Sequence, residues 1–348
     1  MRTRILIIGA FGPGDLAASY ARSFERLNLD VFRFDSDQAY LEAGRFAGNR
    51  YLRRALRSWL WHAVNRSTVA VARAVRPQIV LAIKAAYLNP ATIRLVRREL
   101  GVPFVNYYPD NPYCGVPLNP RKTSAQRRDL LTVLQQYSRV WTWESSLTGR
   151  LQTDGVQAAY LPFGFDPPLD HPGAPSAGSC GECAGDHRLV FVGQHSDKRE
   201  DHLSAIRRHG VALWGARWPR ARRRFDGRHA VHRTTAVAEA TAQIYATADV
   251  SLNVVDDLNM PGHNMRTFEI PGSGGVMLAT HTAEQAALFP DGEAALYYRS
   301  AAEIDALIDR VRSEPDLAGR LRRNGQAIAR EHSYQRRAKT MLDELGIR

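Results

Sequence analysis

The 348 residues, 44% of them apolar, suffice for two hydrophobic cores and describe a soluble globular protein. No apolar run is long enough to cross a bilayer, and the start MRTRILIIGAFG reads as a strand followed by glycines instead of a signal peptide, so the expected compartment is the cytoplasm. The net charge of +12 invites a nucleic-acid reading, but only Lys84, Lys122, Lys198 and Lys339 are lysines; arginine spreads over most predicted helices, densest at 220–224, with no groove-reading element beside it, and no nucleic-acid partner is expected.

RILIIGA (4–10) is a run typical of a strand buried on both faces. The loop from Gly9 through Gly12 and Gly14 follows, then a helix over 15–27 and a strand, DVFRFD, ending at Asp35. Gly12 and Gly14 stand where backbone can approach a ligand closely. The spacing is not GxGxxG, yet Asp35 occupies the place of a ribose-binding acid, which keeps an NAD(P)-dependent oxidoreductase as an alternative.

Residues 51–76 have a helical pattern with Leu52, Leu56, Trp59, Leu60 and Ala63 on one side and arginines elsewhere. The plainer reading is a helix covering a sheet with its aromatic side inward. The other is peripheral contact with an anionic membrane through a basic amphipathic helix. PQIVLAIKA is a third strand, NPATIRLVRREL a helix begun by Asn89-Pro90, and VPFVNYYPD a fourth strand ending at Asp110. A carboxylate at the carboxyl end of a buried parallel strand faces the ligand crevice, so Asp110 is a candidate general base; a turn-initiating Asp is the alternative. RVWTWE is a fifth strand, SLTGRLQTDG a helix, and QAAYLPFGFDP a short sixth strand.

Residues 167–186 form a Gly/Ser/Pro-rich linker. Cys180 and Cys183 in it, followed by His187, lack a second ligand pair for structural zinc, and Cys114 is remote, so no metal is expected. The pattern then restarts: RLVFVG is a strand ending at Gly193, a loop and helix over 194–210 follow, then VALWG, a helix over 234–246, and DVSLNVVDD. HNMRTFEI is a short helix stopped by Pro271, Gly272, Gly274 and Gly275, and VMLAT is a buried strand. A helix over 301–313 and a last helical region close the chain. Two α/β halves, each opening strand–glycine–helix, predict two Rossmann-like doubly wound domains facing a cleft: 1–166, then the linker, then 187–348.

Lys198 and Arg199 stand at the start of the helix after the first strand of the second half, a phosphate-binding position. With Arg266 and the helix start at Asn264 they would hold a diphosphate, and Glu269 offers a carboxylate to a ribose diol. The bland alternative is an i,i+3 ion pair between Arg266 and Glu269.

On FVG with downstream LysArg, ALWG, HNMRTFEIPGSGGVMLATH, FPDGEAALYY and EHSYQRRAKTMLDEL, residues 187–348 resemble the GT-B glycosyltransferases, in particular their CgeB-like branch; IIGAFGPG, YYPDNP and YLPFGFDP match more loosely. The resemblance implies a metal-independent transferase without a cofactor, whose second domain binds a nucleotide-sugar donor and whose first binds an unidentified acceptor. Glu269 would bind the ribose and Lys198/Arg199 the diphosphate, with Gly193 and Gly274 in the site's turns. Pro261 stands where many GT-B enzymes carry the first of two glutamates, and His263 and Asn264 would hydrogen-bond the donor in its place. Asp110 is the first candidate base, with His195 and Asp15 behind it. A non-catalytic nucleotide-sugar-binding protein of the same fold is a further alternative.

Overall fold

The computed structural model describes the chain except residues 1, 45–50, 52–55, 85–86, 114–123, 168–188, 219–224, 226, 233–235, 237–238 and 348, and the side chains of 124–128. Cys114, Cys180, Cys183, His187, the arginine run at 220–224 and all but the first residue of the 167–186 linker lie outside the described residues. The chain divides into two compact units, Met1–Pro162 with Arg337–Arg348, and Phe163–Arg336. Residues 337–348, assigned to the second domain from sequence, thus group with the first unit.

The first unit contains, in order, β1 (Arg4–Gly9), α1 (Leu16–Arg26), β2 (Asp30–Asp35), α2 (Ser36–Ala43), α3 (Arg57–Val75), β3 (Ile79–Ile83), α4 (Pro90–Leu100), β4 (Phe104–Tyr108), α5 (Ser124–Leu134), β5 (Arg139–Thr142), α6 (Ser145–Thr153) and β6 (Ala158–Tyr160). Its strands are all parallel in the order β2-β1-β3-β4-β5-β6. Their apolar runs follow from that placement: β3 and β4 are buried at every position because helices cover both faces. Local signals set the helix ends. Asn89 accepts from the Thr92 N–H at 2.8 Å, Pro90 supplies the first turn of α4, and Gly101 at φ +66° ends it.

α3 departs from expectation. Its inward stripe is Leu60, Val64, Thr68 and Ala72, while Leu56, Trp59 and Trp61 are 38%, 57% and 37% exposed. The aromatic side does not face the sheet.

The second unit holds β7 (Leu189–Val192), α7 (Asp197–Ser204), β8 (Ala212–Trp214), β9 (Ala230–Val231), α8 (Glu239–Thr247), β10 (Val250–Asn253), α9 (Arg266–Gly272), β11 (Met277–Thr280), α10 (Ala283–Leu288), β12 (Leu296–Tyr298), α11 (Ile304–Ser313), α12 (Leu317–Arg330) and the start of α13 (Tyr334–Glu344). Its parallel sheet runs β12-β11-β10-β7-β8-β9. One core layer joins Leu189 and Phe191 of β7 to Leu213, Leu252, Leu278 and Leu296 on the other strands; burying each such side chain contributes roughly 1.5–3 kcal/mol. α9 runs on through Pro271 to Gly272 instead of stopping there. In a seven-residue helix the proline forfeits one bond, and the turn closes with Gly274 N–H on Pro271 O and Gly275 N–H on Ile270 O. The stop is Gly274, at φ +80°.

Candidate functional site

Open parallel sheets bind ligands outside the carboxyl ends of their strands, where the strand order reverses. In the second unit that point lies between β7 and β10, neighbours in the sheet although β8 and β9 come between them in sequence. The Ser196 side chain caps α7 by accepting from the Arg199 N–H at 3.4 Å, which puts Lys198 and Arg199 in the first turn. Lys198 Nζ lies 2.7 Å from Asp257 Oδ1, and Arg199 Nε 3.7 Å from Asp256 Oδ2. Each cation after β7 therefore meets a carboxylate after β10.

Arg199 is the most constrained of these groups. Its Nη1 donates to Gln194 O at 2.8 Å, and its guanidinium lies 5.8 Å from the Phe191 ring. Its Nε is buried and makes no hydrogen bond. Burial pulls its pKa below the ordinary arginine range, Asp256 opposes that, and the positive Arg266 reinforces it. A desolvated guanidinium beside a second one is an environment that favours an anion.

Arg266 opens α9 and pairs with the buried Glu269 one turn on, with its guanidinium 5.9 Å from the Tyr245 ring. The i,i+3 pair of the bland reading is thus formed, and it stands beside Arg199. Asn264 is committed to structure. Its Nδ2 donates to Asn253 Oδ1 at 2.8 Å, and its Oδ1 accepts from the Thr267 N–H at 3.2 Å. Thr267 Oγ1 donates to Gln285 Oε1 at 2.8 Å, and Gln285 Nε2 donates to Thr280 O at 2.8 Å, so a buried network ties the loop to β10, α9 and α10.

His263 is fully buried. Its Nε2 accepts from the Phe163 N–H at 3.2 Å, which requires the proton on Nδ1, 3.1 Å from Glu284 Oε1. Both ring nitrogens are engaged inside the unit, so His263 sets the loop's position. Pro261 follows a cis peptide bond at the start of that loop.

His195 bonds through Nε2 to the buried Glu200 and lies edge-on to Trp218, with ring centroids 5.0 Å apart. Ligand atoms of His195, Asp197 and Glu200 fall within 4.8 Å of one another, the one such trio among the described residues. Gly193 O accepts from Trp218 Nε1 at 2.7 Å. A Cβ on Gly215, at φ +145°, would sit 2.0 Å from that same oxygen, so the turn under the β7 loop needs glycine at 215.

In the first unit the strand order reverses between β1 and β3. Gly12 N–H donates to Asp15 Oδ2 at 2.7 Å, and Gly14 takes φ +80°. Asp35 accepts from the N–H groups of Asp37 and Gln38 at 3.0 and 2.8 Å, capping α2, and from Phe11 N–H at 3.4 Å. β4 stops at Tyr108, so Asp110 lies two residues beyond the strand instead of ending it, and it pairs with Lys84 Nζ at 2.7 Å. Burial, then Asp35 and Asp15, push the Asp37 carboxyl above its usual range, and Tyr87 beside it is pushed up to about 12, chiefly by burial and then by Asp37. Two of the candidate bases, Asp15 and Asp110, therefore belong to the first unit and His195 to the second.

Sequence reasoning missed Asp256, Asp257, Lys84, Asp37 and Gly215. For Asp256 and Asp257 the signal was present, since VSLNVVDD ends a buried strand in acids as VPFVNYYPD does.

Residues 198–343 match the model of a family described as "Glycosyl transferase-like". No curated protein matches the chain in sequence. Among solved structures, Anabaena HepE in complex with UDP-glucose superposes with a TM-score of 0.67 at 12% identity, over 99% of this chain and 100% of that one. Sucrose-phosphate synthase from Thermosynechococcus elongatus gives 0.68 at 14% over 99% and 98%. A glycosyltransferase from Rickettsia africae gives 0.67 at 11% over 99% and 98%. The two parallel six-stranded sheets have the GT-B architecture of such proteins.

Proposed function

We infer that the chain is a glycosyltransferase using a nucleoside-diphosphate-sugar. The observation that carries this reading is the cluster of Lys198, Arg199, Arg266 and Glu269 at the reversal point of the second sheet, inside the segment that matches the glycosyl transferase-like family. Structures of one protein of similar fold, Anabaena HepE, in complex with UDP-glucose, with UDP and glucose, and with UDP support a nucleoside diphosphate as the ligand class. On the motifs around HNMRTFEIPGSGG, the CgeB-like branch is the proposed subfamily.

In this reading Lys198, Arg199 and Arg266 hold the diphosphate, and Glu269 accepts from the ribose hydroxyls after exchanging part of its bond to Arg266. An acceptor hydroxyl attacks the anomeric carbon as the bond to the diphosphate oxygen breaks. The proton passes to a carboxylate, first Asp110, and the departing diphosphate's charge is stabilised by the three cations. These supply positive charge without a metal, and no cofactor is called for. Chelation by EDTA therefore leaves turnover unchanged. A loss restored by a divalent ion would instead assign that role to His195, Asp197 and Glu200.

The decisive experiment is a calorimetric and thermal-shift panel of UDP, GDP, ADP, TDP and NAD. One nucleoside diphosphate should bind and, at about a hundred times its dissociation constant, stabilise the fold by about 2.7 kcal/mol, whereas NAD should not. Stabilisation by NAD alone would replace the transferase with an oxidoreductase. Binding of a diphosphate with no turnover on any sugar donor would leave a binding protein of the same fold.

A further inference from the structure

Charge is not spread evenly along this chain. Between Glu42 and Glu99 stand twelve lysines and arginines and no aspartate or glutamate, which leaves 35 basic against 35 acidic residues everywhere else. The entire excess of +12 therefore belongs to residues 43–98, and arginine scattered by composition does not account for it.

α3 and α4 both come from this stretch. Ala72 of α3 and Ile93 and Val96 of α4 enter one core layer with Leu6, Ile8 and Val80, so the two helices cover the same face of the first sheet. Arg57, Arg66, Arg73, Arg76, Arg94 and Arg98 are exposed on them. Two carboxylates bracket this stretch in the sequence. Glu99 is held by Arg73 through two hydrogen bonds of 2.8 Å, and Glu42 accepts from Gln38 at 2.9 Å.

The first turn of α3 adds an apolar element. Leu56, Trp59 and Trp61 are exposed there, with Leu41 on α2 at 50% and Tyr51 at 72%, five of the seven exposed large hydrophobic side chains among the described residues. The Arg57 guanidinium lies 5.3 Å from the centroid of the Trp61 ring. Indole rings favour the boundary between headgroups and acyl chains, and arginines beside them are drawn to anionic headgroups. A nucleic acid would meet the same arginines but gain little from Leu41 and Leu56, whose exposed carbons are best matched by hydrocarbon.

We propose that this face of the first unit docks on an anionic membrane surface, with Trp59 and Trp61 in the headgroup layer and the arginines of α3 and α4 against lipid phosphates. The occupant is identified by charge complementarity together with the exposed apolar carbons.

The test is co-sedimentation of the full chain with vesicles of phosphatidylcholine alone, or of three parts phosphatidylcholine to one part phosphatidylglycerol. At low salt, roughly tenfold more protein should pellet with the anionic vesicles, and added salt should weaken but not abolish this. Trp59→Ser and the double variant Arg57→Glu/Arg66→Glu should each lower pelleting roughly fivefold while nucleoside-diphosphate affinity, which belongs to the second unit, is kept. Should the tryptophan variant melt early, the charge-reversal pair supplies the reading. Wild-type protein remaining in the supernatant with anionic vesicles would overturn the proposal, as would variants that pellet like wild type. Retention by poly(U) RNA that anionic vesicles fail to compete away would overturn it in favour of a nucleic-acid face.

Discussion

Arg199 is largely shielded from solvent beside a second arginine, and a guanidinium so placed gains most from an anion brought close to it. Arg199→Ala should weaken nucleoside-diphosphate binding by about 1.5–3 kcal/mol, roughly ten- to a hundredfold, as read by calorimetry. Unchanged affinity would remove Arg199 from the site. Asp110→Asn should keep donor affinity and lose transfer by roughly a hundredfold or more; full transfer in that variant ends its role as base. The sequence shows which side chains stand near strand and helix ends, and Asp110, Lys198 and Glu269 are candidates on that ground. It did not show who faces whom. That Asp256 meets Arg199 and Lys84 meets Asp110 depends on β10 lying beside β7 and on β3 lying beside β4, a strand order set by tertiary packing.

At the scale of elements, the turn that follows β8 has a steric requirement. Gly215→Ala places a methyl group against the Gly193 carbonyl and should cost about 2–3 kcal/mol, seen as an earlier melting transition. A wild-type melting curve would show that the loop yields there. His229, just before β9, gives a pH prediction. Its Nδ1 accepts from the Val211 N–H at 3.3 Å while Nε2 faces Leu203 O at 2.9 Å, so protonation would set one N–H against another. Burial lowers its pKa first, with Leu203 O opposing, and burial lowers His202 likewise, assisted by Lys198. Below about pH 6.5 the unfolded chain takes up protons that the folded state resists. Stability is therefore full above that pH and falls as pH drops through it. Melting between about pH 7.5 and about pH 5.5 should show this slope, and His229→Gln should flatten it; a variant with the wild-type slope would clear His229.

Elements with a strong apolar period were legible in the sequence, and those without one were not. α2 buries only Ser36, α10 has six residues, and β9 has two, so none carries a stripe long enough to read. α3 misled for a different reason. Its inward stripe ends in Thr68 and Ala72, weakly apolar residues, and the conspicuous Trp59 sits one position away from Leu60 and so points elsewhere.

For the whole molecule, the repeated strand–glycine–helix pattern was enough to give two parallel sheets, because each buried run needs helices on both faces. The grouping of the last residues was invisible, since α13 reads the same whichever core it serves. Its end belongs to the first unit. Arg337 Nε donates to Pro162 O at 3.1 Å, and Glu344 Oε2 accepts from Arg139 and from Trp141 Nε1 at 2.8 and 3.1 Å. Deleting 337–348 should therefore expose the first unit to protease ahead of 163–336, and equal resistance of both would contradict this. The arrangement also bears on how the protein is made. The unit whose synthesis begins first lacks residues 337–348 until all of the second unit has been made, so completion of the first unit on a nascent polypeptide waits on synthesis of the second.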